Sequence, residues 1–198
     1  LWVGWFGFNA GSALAANQNA AMAMLVTHIS AAAATVTWML IDWYKNGKPG
    51  LVGMITGMVA GLATVTPASG YIGPMGGLIL GISSGFVCYW FVGFIKNAIN
   101  IDDSLDVFAV HGVGGILGTL LCGLLATANY GGLGLETTVW AQTKVQIIGV
   151  LSISLYTLVV TTIIVLLVRR FVGLRVSEQE EKTYGLDLGS HGESSYHL

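Results

Sequence analysis

Long apolar segments separated by short polar turns form the pattern of this chain. A membrane-spanning helix needs about 20 mainly apolar residues. Six segments reach or approach that length, the first being the shortest: 1–16, 20–44, 51–66, 75–98, 105–126 and 143–168. The pattern predicts an all-α polytopic membrane helix bundle with six transmembrane helices. We place a transmembrane domain at residues 1–171 and a polar, water-exposed tail at residues 172–198.

Basic residues predict the orientation of these segments. Loops alternate sides of the membrane, and lysine and arginine are enriched on the cytoplasmic side. The basic residues that follow the second, fourth and sixth segments share one side: Lys45, Lys48, Lys96, Arg169, Arg170, Arg175 and Lys182. Only Lys144 falls on the other side. The tail is therefore predicted to be cytoplasmic.

Composition supports the membrane interpretation. Apolar residues make up 54% of the chain and charged residues 9%, whereas a soluble domain carries roughly 25% charged residues. The formal net charge of -2 offers no electrostatic basis for binding nucleic acid. The chain starts at Leu1 inside an apolar segment with no charged region before it, which favours a truncated membrane protein over a signal peptide.

Glycines recur every four residues and predict close helix packing. One such series is Gly53, Gly57 and Gly61, and another starts at Gly73 and runs through Gly85. Residues four apart share a helix face, and small residues there let two helix backbones approach. The outer loop 66–77 contains Pro67 and Pro74, so regular helix is not expected there.

Two histidines lie at membrane depth, where polar groups are costly and often functional. His111 follows Asp106 by five residues and is surrounded by glycines, so a proton-relay role and a packing role are equally open. Asp106 is expected to cap the fifth helix in a structural role. His28 stands among alanines and is expected to be structural.

The first segment combines aromatic and polar side chains. Trp5 and Phe8 lie close to Asn9 and Ser12. Aromatic faces attract cations, and an aromatic belt at the membrane surface is the simpler alternative. The depth of Asn9 and Ser12 favours a site. We find no phosphate loop, metal-ligand spacing or nucleophile motif, and therefore predict a protein that is not an enzyme and needs no cofactor or metal. Cys88 and Cys122 are expected to be buried hydrophobes.

Four phrases resemble the ammonium transporter (Amt/Mep/Rh) family, and specifically its Amt branch. They are WFGFNAGSA (5–13), TPASGYIGP (66–74), DDSLDVFAVHGVGGILG (102–118) and VGLRVSEQEEKTYGLDLGSHGE (172–193). Their order is similar to the sixth to eleventh helices of that family and covers nearly the whole chain. The resemblance implies the second half of an eleven-helix inverted-repeat transporter, a homotrimer with one hydrophobic pore per subunit in the cell membrane.

The resemblance also implies roles for individual residues. His111 would be the second histidine of the pore pair, Phe8 one of two stacked phenylalanines, and Ser12 the hydroxyl of an outer ammonium site. Trp5 would line the pore, with Asn9 near it. Asp106 would be the acidic residue that heads the tenth helix, and the tail would help to dock a PII signal-transduction protein.

The implied activity is transport of ammonium or ammonia, with recruitment of ammonium at an outer site and deprotonation before passage. Two alternatives stay open: an Rh-like channel for a neutral gas, and an ammonium sensor coupled to signalling. Neither electrogenic transport nor neutral conduction follows from these residues. By itself, half of an inverted repeat is not expected to form a pore.

Overall fold

The computed structural model describes residues 1–193, and every regular element in that range is helical. The seven α-helices are α1 (Trp2–Gly11), α2 (Gln18–Asn46), α3 (Leu51–Val65), α4 (Pro74–Gly93), α5 (Gly114–Leu125), α6 (Val139–Phe171) and α7 (Glu178–Tyr184). Two π-helical stretches matter below: the α4 extension (Phe94–Ala98) and the His111 segment (Phe108–Val113), which leads directly into α5. The last five residues of the predicted tail, 194–198, lie outside the described residues.

Within residues 1–193, five helical stretches, and not six, are long and apolar enough to cross a membrane. They are Gln18–Asn46, Leu51–Ala68, Pro74–Ala98, Phe108–Leu125 and Val139–Phe171. The first predicted span, 1–16, forms only the ten-residue helix α1. At 1.5 Å per residue α1 is about 15 Å long, half of the roughly 30 Å hydrocarbon layer. The expected count of six is corrected on this point, while the all-helical membrane architecture is confirmed.

Helix α2 is the packing centre of the first of two compact units, residues 1–150. It starts where the Asn17 side chain accepts a hydrogen bond from the Ala20 N–H at 3.1 Å, and it ends at Gly47, whose φ of 74° stops the helix. Helices α3 and α4 pack on it through glycines: a Cβ added at Gly61 or at Gly81 would lie 2.5 Å from the Ser30 carbonyl oxygen. The predicted close approach of helices at glycine is therefore realised on two sides of Ser30.

The loop between α3 and α4 is not regular helix, as the two prolines predict. Pro67 lies in a single 3₁₀ turn (Thr66–Ala68), and Pro74 begins α4, where its missing N–H leaves no helical bond unmade. Ile72 is 2% exposed. The Leu133 N–H donates to the Tyr71 carbonyl oxygen at 3.0 Å and joins this loop to the one after α5. Irregular backbone is tolerated here because protein covers it.

Two clusters of apolar side chains fill the spaces between the helices. One contains Val26, Val65, Leu80 and Leu125, and the other is built around Trp38, Cys88 and Val110. Both cysteines are buried and unpaired as predicted. In a bilayer, lipid is as apolar as leucine, so shape complementarity and dispersion contribute more to this packing than removal from water.

The second unit begins at residue 151 and is described separately. It contains the remainder of α6, which ends at Phe171 with Arg169 and Arg170 in its last turn. Helix α7 starts with a capping box: the Ser177 hydroxyl accepts from the Glu180 N–H, while the Ser177 N–H donates to the Glu180 carboxylate. The Ser177 hydroxyl also donates to the Glu180 carboxylate at 2.8 Å. This bond, followed by the one from the Ser177 N–H, lowers the pKa of Glu180, so the cap is intact above the ordinary pKa of a glutamate and is lost as pH falls through the lowered value.

Candidate functional site

An imidazole and an indole lie face to face at the centre of the candidate site. The rings of Trp5 on α1 and His111 have centroids 6.3 Å apart and planes only 12° apart. Phe8, one turn along α1, meets Trp5 edge-on at 6.1 Å and 75°. Residues 106 positions apart in sequence thus form one aromatic face. His111 and Phe8 are exposed on it, and Phe8 is 59% exposed.

Trp5 is held in place by a hydrogen bond from its ring nitrogen. Its Nε1–H donates to the Thr66 hydroxyl at 2.8 Å, and that hydroxyl donates in turn to the Leu62 carbonyl oxygen. Thr66 lies at the start of the 3₁₀ turn that follows α3. The irregular outer loop therefore fixes the orientation of the ring that stacks on His111.

Ser12 ends α1 and is exposed. Its hydroxyl donates to the Phe8 carbonyl oxygen at 2.7 Å. Because the proton is used inside the helix, the hydroxyl presents only lone pairs outward, and lone pairs are what a cationic N–H donor requires.

The expectation for Asn9 is corrected by its contacts. This side chain is only 6% exposed, and its amide donates to the Thr27 hydroxyl of α2 at 2.9 Å. Thr27 donates in turn to the Ala23 carbonyl oxygen. Asn9 therefore joins α1 to α2 and is a packing residue, because at membrane depth a buried amide needs a partner inside the protein.

His111 stands on helix that is packed closely against α3. The His111 segment is π-helical, and such stretches are frequent at functional sites. A Cβ on Gly114 would lie 2.7 Å from the Thr64 hydroxyl, and one on Gly118 would overlap the Thr64 carbonyl. By contrast, a Cβ on Gly115 would meet nothing within 4 Å. Gly114 and Gly118 therefore allow the helix that carries His111 to pack closely against α3, whereas Gly115 faces open space.

Asp106 does not cap the helix that carries His111, contrary to expectation. The Asp103 carboxylate accepts from the Val107 and Phe108 N–H groups at 2.8 and 2.9 Å and is the capping side chain. Asp106 forms an ion pair with Lys96 at 2.6 Å. Its own φ of 57° lies in the left-handed region, outside the helix. Asp106 therefore has its structural role through the ion pair with Lys96 and not as a helix cap.

A second imidazole meets a neighbouring face of α1. His28 lies 5.1 Å from the Trp2 ring and 6.1 Å from the Phe6 ring, at interplanar angles of 37° and 34°. No sequence motif indicated this grouping. The signal that could have found it is the spacing of Trp2 and Phe6, four residues apart and hence on one helix face.

The geometry defines what this face can do chemically. Aromatic rings and hydroxyl lone pairs attract a small cation, and a neutral imidazole can accept or donate a proton. Within residues 1–193, no three histidine, cysteine or carboxylate side chains are grouped to hold a metal ion. The face therefore suits a small cation or its conjugate base.

Comparison with known proteins relates this architecture to a family. The model of the Ammonium Transporter Family matches residues 1–196. The chain belongs to the ammonium transporter family. An ammonium transporter described as putative, from Methanothermobacter thermautotrophicus, is 47% identical over 204 residues, which cover 100% of this chain and 49% of the relative. Ammonium transporter Amt1 of Archaeoglobus fulgidus is 47% identical, covering 99% of this chain and 50% of the relative.

Solved structures of ammonium transporter family members have the same fold. A sensor Amt protein superimposes with a TM-score of 0.87 at 31% identity, covering 96% of this chain and 47% of that protein. Candida albicans Mep2 superimposes with a TM-score of 0.82 at 36% identity, covering 91% and 42%. The chain thus spans about half the length of the relatives it matches.

Within this family member, the structure brings together three of the predicted site residues and separates one. Trp5, Phe8 and His111 share a face, Ser12 ends the same helix, and Asn9 turns into the protein. Sequence reasoning did not find the supporting contacts of Thr64, Thr66 and Lys96, and it indicated Asp103 only as one of three carboxylates near the start of this helix. Their partners are distant or local backbone groups that a motif does not reveal.

Proposed function

We propose that this chain forms part of a transporter of ammonium or ammonia, with the Trp5–Phe8–His111 face lining the pathway. The observation that carries the proposal is the stacked Trp5–His111 pair on a membrane-spanning scaffold of the ammonium transporter family. The relatives have about twice this length, so the tests of transport use the native gene product.

The chemistry of the face supports a sequence of steps. An ammonium ion at the outer end meets aromatic faces and the lone pairs of Ser12, which partly replace its water shell. A bare cation is costly at membrane depth, whereas neutral ammonia is not. Deprotonation therefore precedes passage, and His111 can relay the proton or orient ammonia.

Uptake of labelled methylammonium tests this proposal. Cells that lack their own ammonium transport would express either the native gene product or the 198-residue part. Uptake is expected from the native product alone. If that product inserts into the membrane and still takes up none, ammonium transport is the wrong function. Uptake by the 198-residue part alone would contradict the idea that two repeats are needed for a pore.

Likeness to a sensor Amt protein favours one alternative, ammonium sensing coupled to signalling. The sensing function predicts saturable ammonium binding without net flux, and so uptake separates it from transport. An Rh-like neutral channel predicts flux without current. Current recorded from proteoliposomes after an ammonium jump therefore distinguishes electrogenic transport of ammonium from neutral conduction of ammonia.

We also propose a homotrimer in the cell membrane, plasma or inner, with the C-terminus in the cytoplasm. The family resemblance supports the trimer. The distribution of basic residues supports the orientation. Native mass spectrometry in detergent or nanodiscs would show three copies, and a monomer alone would contradict the assembly.

We further propose that the tail contacts a PII signal-transduction protein at the cytoplasmic face. The support is the tail phrase together with the exposed α7, whose capping box makes a defined helix of seven residues. Pull-down of a PII protein by the native gene product should be lost when residues 172–198 are deleted. Equal recovery by both proteins would count against this partner.

A further inference from the structure

An ion pair connects the two π-helical stretches of the first unit. Lys96 lies in the α4 extension and Asp106 lies two residues before the His111 segment. The Lys96 ammonium and the Asp106 Oδ1 atom are 2.6 Å apart, with side chains 37% and 17% exposed. The pair thus closes the loop of residues 99–105 immediately before the helix that carries His111.

The backbone at Asp106 is one that needs support. Its φ of 57° is left-handed, a conformation that few residues other than glycine adopt, although Asp and Asn tolerate it best. The Oδ1 atom is shielded from solvent and has no hydrogen bond of normal geometry among the described residues. The Lys96 charge is consequently what compensates this oxygen, because a shielded carboxylate without a partner is strongly disfavoured.

The start of the His111 segment is fixed at two points. Asp103 accepts from the first two N–H groups, of Val107 and Phe108, and the Asp106 carbonyl accepts from the Val110 N–H at 2.8 Å. A π turn holds more residues than an α turn, so the direction of each side chain depends on where the segment begins. The direction of the His111 ring toward Trp5 therefore depends on the backbone conformation at Asp106, where the segment begins.

We propose that Lys96 and Asp106 are positioning residues that set the orientation of the His111 ring through the start of the π-helical segment. The role in transport rests on the proposed function, whereas the effect on the segment does not. Exposed ion pairs usually contribute little. This pair differs because one oxygen is shielded, the backbone beside it is left-handed, and the next element carries the imidazole.

Transport kinetics of the native gene product test the proposed effect of Lys96 and Asp106 on transport. Lys96→Gln and Asp106→Asn each remove one charge, and Asn retains the tolerance for a left-handed φ. Each is expected to lower the maximal uptake rate per membrane-inserted copy on the order of tenfold, with little change in KM because Trp5, Phe8 and Ser12 are on another helix. Lys96→Arg should restore most of the rate. The double variant should lose no more than the worse single variant.

Lys48→Gln is the matched control, since it removes one positive charge from an exposed loop on the predicted cytoplasmic side. It is expected to transport like the unchanged protein. Equal rates for Lys96→Gln and Lys48→Gln would overturn the proposed role in transport. A loss that Lys96→Arg does not repair would do the same, because the charge would then not be the cause.

Hydrogen–deuterium exchange of the same proteins in nanodiscs tests, without any substrate, whether the ion pair orders the His111 segment. Residues 107–113 should exchange at least about threefold faster in Lys96→Gln and Asp106→Asn than in Lys48→Gln, since local opening follows lost local contacts. Unchanged exchange would overturn the positioning role whatever the substrate. Faster exchange in a native product that takes up no methylammonium would retain the positioning role and reject only the proposed transport function.

Discussion

Helix α1 places two similar sets of side chains on two neighbouring faces, and their differences are informative. Trp5 stacks on His111 with planes 12° apart, whereas Trp2 and Phe6 meet His28 at 37° and 34°. The Trp5 indole N–H donates to Thr66, while the Trp2 indole N–H is buried and finds no partner in the described chain. Only the Trp5–His111 side is therefore fixed by a directional bond.

The two histidines also stand on different backbones. His28 lies within the 29-residue α2, far from either end. His111 lies on a π-helical segment. The Lys96–Asp106 ion pair precedes this segment, and α5, which follows it, is in close contact with α3. The same imidazole–aromatic grouping thus occurs once on regular helix and once where several neighbouring elements set its orientation. We infer that geometric control, and not residue type, separates a candidate site from an aromatic packing contact.

Substitution of each histidine tests this comparison most directly. His111→Leu in the native gene product is expected to lower the ammonium uptake rate by about a hundredfold, in the range that positioned proton-transfer groups contribute. His28→Leu is the matched control and should change the rate less than about twofold on the same reasoning. Uptake and ion selectivity are measured per inserted copy. Unchanged uptake in His111→Leu would remove this residue from the pathway.

Two glycines of α5 test the contact between α5 and α3 that supports the His111 segment. Gly118→Ala places a methyl group against the Thr64 carbonyl and should lower the free energy of unfolding by about 1–3 kcal/mol. Gly115→Ala on the same helix meets nothing within 4 Å and should be neutral or stabilising by up to about 1 kcal/mol. Denaturant unfolding in bicelles measures both. If the two variants are equally stable, α5 does not depend on its contact with α3.

The two tryptophans of α1 provide the finest test. Trp5→Phe removes the hydrogen bond to Thr66, and Trp2→Phe removes an N–H that has no partner within residues 1–193. Both lose similar ring area, so the difference reports the two indole N–H groups, one hydrogen-bonded and one buried without a partner among the described residues. Trp5→Phe should be less stable than Trp2→Phe by about 1 kcal/mol. The same unfolding assay measures the stability of both variants. If Trp2→Phe were the less stable of the two, Trp2 would be held more tightly than Trp5.

Sequence reasoning was effective wherever a local pattern is governed by one physical rule. Apolar length predicted the spans because every backbone group in a bilayer must bond within its own helix. It overestimated the length of the first segment, since residues 12–16 are mostly apolar but lie after the end of α1 at Gly11. Proline predicted the irregular outer loop, and glycine spacing predicted the close contacts at Ser30.

By itself, the sequence determined that this is a helical membrane protein and which family it resembles. It also predicts a role for five residues: Trp5, Phe8, Asn9, Ser12 and His111. Only the tertiary structure decided that Asn9 turns inward to Thr27, that Asp103 and not Asp106 caps the His111 segment, and that Lys96 pairs with Asp106. The physical reason is the range of the forces involved. Periodicity and composition reflect the solvent around each segment, whereas a side chain at membrane depth bonds to whichever polar group the packing of distant segments places within reach.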